Sequence, residues 1–213
     1  MKEDICSIPI TDIFEKNDAC PICKMYDILQ KRAVDFALGD SKMQPSIRKM
    51  TNKDGFCRRH LDMMILSGER AALATILESR LAELAALGEK ETAAKLKADK
   101  GACFVCNRIE GQMQTLLNEM YYLYETEEEF RVLFGSQKNF CFEHFKMLYL
   151  GADRSPLKRQ KKAFRAQLFE KYNKNITELH ADIKRFCTSF SCVSKVENDE
   201  NSKRCLEKYQ ELF

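Results

Sequence analysis

Two residue types, cysteine and histidine, recur along this chain at spacings suited to holding a metal ion. Cys20-Pro21-Ile22-Cys23 is followed by Phe56-Cys57-Arg58-Arg59-His60, and Cys103-Phe104-Val105-Cys106 by Phe140-Cys141-Phe142-Glu143-His144. In each half a C-x-x-C precedes an aromatic residue and a C-x-x-H, with 33 residues between Cys23 and Cys57 and 34 between Cys106 and Cys141. Six of the 10 cysteines and two of the 3 histidines belong to this duplicated set. One such pair arises by chance, whereas two complete sets in the same order point to metal rather than to buried apolar thiols.

Ligands three residues apart face one ion when they sit on a tight turn or the first turn of a helix. Two such pairs make a tetrahedron of three thiolates and one imidazole, which suits zinc; soft ligands disfavour calcium and magnesium, and an iron–sulfur cluster is the alternative. Cys20, Cys23, Cys57, His60, Cys103, Cys106, Cys141 and His144 are therefore read as ligands of two ions. Each zinc site would carry a net charge of −1. Helix starts suit that charge, since unpaired backbone amides and the positive end of the dipole contribute about 0.3–1 kcal/mol per helix. With every position filled by protein, the ions would be structural rather than catalytic. Pairing within each half is the simpler assumption, and exchange, Cys20 and Cys23 with Cys141 and His144, is the alternative.

Helices must position these residues. Gly and Pro number only 8 and 4, while Ala, Leu, Glu and Lys abound and no run of alternating β-branched residues appears. Apolar spacing predicts a short helix after Pro9 with Ile10, Ile13 and Phe14 inward, and a longer one over 21–38 ended by Gly39-Asp40. A short helix after Pro45 and a loop ending at Gly55 deliver Cys57, and a helix to Leu66 follows with Leu61, Met64 and Ile65 inward. A long helix is expected over 69–96, with Leu73, Ile76, Leu77, Leu81, Leu84 and Leu87 inward and Gly88 a kink. The second half repeats the plan with helices over 102–124, 127–134 and 140–150. A long helix over 156–186 has Phe164, Leu168, Tyr172, Ile176, Leu179, Ile183 and Phe186 as its stripe, and a terminal helix ends at Phe213. Met63–Leu66 falls opposite Met147–Leu150, so the duplication extends beyond the ligands. The fold expected is all-α: two pseudo-repeats, 1–100 and 101–213, the second with extra C-terminal helices, in one compact body.

The chain has 213 residues, 45% apolar and 31% charged, which is ordinary for a globular protein. Its amino terminus is polar, and no window approaches the roughly 18–20 apolar residues of a membrane span. A cytoplasmic location is expected, and there cysteines serve metals more often than disulfides. A net charge of +3 singles out no partner.

Other residues invite weaker readings. Cys187, Cys192 and Cys205 with His180 match neither half's spacing and read as ordinary thiols, as does Cys6. Lys158, Arg159, Lys161, Lys162 and Arg165 resemble a phosphate-contacting patch, although such a run is more often a helix's solvated face. Tyr121, Tyr122 and Tyr124 are expected to seal the core beside the second site. Arg58 and Arg59, between ligands, could screen the first site or hold an anion.

The chain resembles an uncharacterised bacterial family, a domain of unknown function whose members pair CPxC with GFCxxH twice. Ile8-Pro9-Ile10 with Phe14-Glu15, Cys20 to Cys23, Gly55 to His60, Cys103 with Cys106, and Phe140-Cys141 with His144 carry the likeness over about residues 5–190. Some members are labelled transporter substrate-binding proteins. Ser189-Phe190-Ser191-Cys192 stands where relatives carry a Tyr-Arg-Asn-rich stretch. The resemblance implies two metal sites and no substrate. The expected role is a non-enzymatic module with structural zinc that binds a protein partner. A thiol or metal sensor is the alternative, and a nucleic-acid-binding or iron–sulfur protein comes after it. No Ser/His/Asp set, glycine-rich phosphate loop or paired carboxylates support an enzyme.

Overall fold

The computed structural model describes residues 10–98, 102–190 and 200–213; Cys6 and Cys192 lie outside them. Every element there is helical, and none is long and apolar enough to cross a membrane. In chain order they are α1 (Ile10–Lys16), α2 (Pro21–Leu38), a 3-10 turn (Asp40–Met43), α3 (Pro45–Asp54), α4 (Arg58–Leu66), α5 (Arg70–Ala85), α6 (Glu89–Ala98) and α7 (Phe104–Thr126). Then come α8 (Glu128–Ser136), α9 (Phe142–Gly151), α10 (Lys161–Ser189), α11 (Glu200–Lys203) and α12 (Cys205–Leu212). The helix expected over 69–96 is two helices, α5 and α6, because Leu87-Gly88 interrupts it and Glu91 Oε2 accepts the Gly88 N–H at 3.0 Å. On α5, Leu73 and Ile76 are buried but Leu81 is 62% exposed.

The chain forms two compact units. The inner one in sequence is Tyr26–Thr115; the outer one joins the residues up to Met25 to Leu116–Phe213. These units differ from the halves 1–100 and 101–213, which are the units of repetition. The dividing points fall inside α2 and α7, so each unit draws on both halves.

In the inner unit α3 packs on α5, and Leu29, Ala33, Ala37, Met64, Ile76, Phe104, Val105 and Ile109 form the core. Ile65, expected inward, is 45% exposed. Arg80 donates to the carbonyls of Thr51 and Asn52 at the end of α3, and Asn52 donates to Ser79 and Glu83 of α5. Gly55 closes α3 with φ +62°, a left-handed conformation; a Cβ there would also run into the Arg80 guanidinium.

Aromatic rings dominate the outer core. Phe14 of α1 meets Phe130, Phe134 and Phe140 at 5.1, 5.9 and 6.5 Å, and Tyr124 lies 4.9 Å from Phe164. Buried tyrosines satisfy their hydroxyls: Tyr121 donates to the Leu148 carbonyl at 3.0 Å and Tyr124 to Gln167 at 2.9 Å. Tyr122, expected in the same seal, is 58% exposed. Burial holds the ionisation of both Tyr121 and Tyr124 above the ordinary range. Asn17, itself at φ +40°, accepts the Lys138 N–H and donates to the Ser136 carbonyl, while Gln137 donates to the Phe14 carbonyl, so α1 is tied to the turn before Phe140. Around α12, Leu179, Cys205 and Leu212 form a small apolar cluster with Ile176, Ile183 and Phe186.

Candidate metal centres

All four ligand pairs use one local device. Cys20, Cys57, Cys103 and Cys141 each stand immediately before a helix, and their carbonyls accept the first helical N–H, from Lys24, Leu61, Asn107 and Phe145. The partner ligand three residues on is then one turn into the helix and on the same side. The expectation that the ligands sit at helix starts thus holds at each pair.

The pairs meet across the repeats. Cys20 and Cys23 converge with Cys141 and His144 in the outer unit, and Cys57 and His60 with Cys103 and Cys106 in the inner one. Within each group the ligand atoms all lie within 4.8 Å of one another, and each group could hold a metal ion. Pairing within each half is thereby corrected: the exchange arrangement is the one formed. The two patterns leave identical spacings, so only the packing of the helices distinguishes them.

In the outer group Cys23 Sγ lies 3.7 Å from Cys141 Sγ, and His144 Nδ1 is 3.1, 3.2 and 3.5 Å from the sulfurs of Cys141, Cys23 and Cys20. In the inner group Cys57 Sγ and Cys106 Sγ are 3.9 Å apart. His60 Nδ1 lies 3.3 Å from the sulfurs of Cys57 and Cys106 and 3.4 Å from that of Cys103. Both histidines therefore turn Nδ1 inward. A backbone bond fixes the inner group: Phe104 N–H donates to the Gly55 carbonyl at 2.9 Å, joining the two ligand-bearing segments beside Cys57 and Cys103. Phe104 also stacks on Phe36 and meets Phe56 edge-on, at 6.5 and 6.4 Å.

Sequence reasoning missed Gln30. It is buried, and its Oε1 lies 3.3 Å from Nε2 of His60, so it accepts the Nε2 proton and leaves the Nδ1 lone pair facing the sulfurs. The signal available was a lone amide on the otherwise apolar inner face of α2.

Protons distribute unevenly. In the outer group the Cys141 thiol is held well below its usual range by hydrogen bonds from Cys20 and Cys23, while the Cys23 thiol is pushed up by Cys141 and Cys20. Burial alone would lower His144, but bonds from Cys141 and Cys20 outweigh it and raise the imidazole to about 9. In the inner group burial and then the Arg59 charge lower His60. Cys106 is pushed up to about 12, by burial first and then by Cys103 and Cys57. Cys57 is lowered: burial opposes this, but the backbone N–H groups of His60 and Arg59 and the thiols of Cys103 and Cys106 outweigh it.

Of the arginines between ligands, Arg59 lies over the Tyr26 ring at 5.7 Å, and Arg58 is almost fully exposed near Asp62. At the matching place in the outer unit Phe142 packs on Phe213 and Tyr172, at 5.3 and 6.1 Å. Cys187 and His180 are exposed and Cys205 is in the apolar cluster; no third group forms among the described residues.

This architecture, all-α with a repeated Cys/His set, defines a duplicated helical protein whose clusters are able to bind metal. The chain belongs to the Family of unknown function (DUF6062), whose model matches it twice, over residues 1–100 and 85–211. No curated protein and no solved structure matches it.

Proposed function

We propose that each cluster holds one zinc ion and that the protein is a non-enzymatic cytoplasmic module whose zinc-stapled helices bind a protein partner. Ligand spacing carries the metal reading. Around one tetrahedral zinc, sulfurs at about 2.3 Å stand about 3.8 Å apart, and a nitrogen at about 2.0 Å stands about 3.5 Å from each sulfur. Cys23–Cys141 at 3.7 Å and Cys57–Cys106 at 3.9 Å match the sulfur spacing, the sulfur–nitrogen distances of 3.1–3.5 Å lie at or somewhat below theirs, and all four ligand atoms of each cluster lie within 4.8 Å of one another. An iron–sulfur cluster spreads its ligands over several iron atoms and needs them further apart. Four protein ligands per ion favour a structural role.

Elemental analysis of protein purified without added metal tests this reading: two zinc per chain are expected, with loss of helix on chelation. Iron with acid-labile sulfide, or helix content unchanged in verified metal-free protein, would overturn it. A sensor reading is favoured by the sulfur pairs themselves. Peroxide oxidation of Cys57 and Cys106 to a disulfide, with peroxide reduced to water, would remove two ligands and release the ion.

A further inference from the structure

The two halves differ sharply in charge just after their C-x-x-H. From His144 to Arg165 there are seven Lys or Arg residues against the single acid Asp153, a net charge of +6. The matching 22 residues, His60 to Leu81, carry Arg70 and Arg80 against Asp62, Glu69 and Glu78, net −1. Because the whole chain carries only +3, the remainder is acidic on balance. The repeated fold does not require these cations, since the first half has the same motif without them.

The structure holds the segment in place from beneath. Leu157 is buried, and the Glu125 carboxylate of α7 accepts the backbone N–H groups of Lys158, Arg159 and Gln160 at 2.9, 2.9 and 3.1 Å. Those bonds, Lys158's first, keep the Glu125 carboxyl below its ordinary range, so it stays ionised. Asp153 takes up Arg165 at 2.7 Å and approaches Lys161 at 3.9 Å. Arg154, Lys158, Arg159 and Lys162 are left exposed. Tyr122, one helical turn before Glu125 and therefore on the same side of α7, is 58% exposed.

We propose that this surface of the outer unit binds single-stranded nucleic acid: Arg154, Lys158, Arg159 and Lys162 contact phosphates and Tyr122 stacks on a base. A fixed backbone with exposed cations suits a phosphodiester chain, and an exposed ring on the side of α7 whose Glu125 holds that backbone offers a stacking platform that tolerates any base. The proposal does not depend on which metal fills the clusters.

Fluorescence anisotropy with the full-length protein and labelled mixed-sequence single-stranded RNA and DNA of about 20 nucleotides tests it. Saturable binding at low salt is expected. Log affinity should fall against log salt with a slope of about −2 to −3, since each phosphate neutralised on a single strand contributes about −0.7. Lys158→Glu, Arg159→Glu and Lys162→Glu together should weaken binding at least about tenfold and flatten the slope. Tyr122→Ala should weaken it about fivefold or more without changing the slope. Lys49→Glu with Lys53→Glu, in the inner unit, should leave it unchanged. If circular dichroism shows the triple variant unfolded, Arg159→Gln with Lys162→Gln replaces it. No saturable binding, binding that the patch variants retain, or association only with phosphatidylglycerol-containing vesicles would each overturn the proposal.

Discussion

Gln30 Oε1 stands 3.3 Å from Nε2 of His60, and both side chains are buried. One amide thus sets which imidazole nitrogen faces the three sulfurs. Gln30→Leu should weaken metal binding at the inner cluster by about 10–100-fold and leave the outer one unchanged. Competition with a chromophoric chelator resolves the two sites. Equal losses at both would show that Gln30 acts on overall stability instead.

Exchange of ligands between repeats makes a stoichiometric prediction. Cys57→Ser with Cys103→Ser removes ligands of one cluster and should cost one ion per chain. Cys57→Ser with Cys23→Ser touches both and should cost two. Pairing within halves would reverse these outcomes, and native mass spectrometry reads them directly.

Metal and protons compete for the same atoms. Burial and neighbouring sulfurs push Cys106 up to about 12, so without an ion it keeps its proton throughout the neutral range. Metal must displace at least that proton, and affinity at the inner cluster should fall at least about tenfold per unit as pH drops from 9 to 6. For folding, the raised Cys106 pKa acts against the metal-free protein. At pH above the ordinary thiol value of 9.0 the unfolded chain has already lost the proton that the fold retains, so stability falls there with rising pH. A pH indicator following proton release on metal addition checks the first statement, and denaturant melts between pH 8 and 11 check the second.

Gly55→Ala should destabilise the protein by about 1–3 kcal/mol, because φ +62° is strained for alanine and its methyl would meet Arg80. Since the Gly55 carbonyl also accepts the Phe104 N–H beside Cys103, inner-cluster metal affinity should fall with it. Thermal melts and chelator competition on the same preparation follow both.

Burial of aromatic rings governs the outer unit. Phe134 is fully buried against Phe14, Phe140, Tyr124 and Phe164, so Phe134→Ala should cost about 3–5 kcal/mol in a denaturant melt. Val132→Ala, two residues away and 69% exposed, should change little.

The cluster residues were legible because a metal site would fix residue type and spacing together, and the helices because apolar residues recur every three or four positions. What spacing leaves open is long-range choice. The two-residue spacing inside each pair is the same whether Cys20 and Cys23 meet Cys57 with His60 or Cys141 with His144, and only tertiary packing, which brings the start of α2 to that of α9, decides. Leu81, Ile65 and Tyr122 fit apolar stripes yet stand exposed, because periodicity names a face of a helix and not how far a neighbour covers it. Gln30 escaped notice because a buried amide has meaning only once its acceptor is seen beside His60.

The crossed ligand pattern also bears on ancestry. A forerunner with a single copy of the motif would reproduce the pairing seen here by meeting a twin, each supplying the other's missing pair. Tandem fusion would have turned that encounter between molecules into an internal one, making the coordination independent of concentration. Losing either copy today would leave both clusters half-formed rather than remove one.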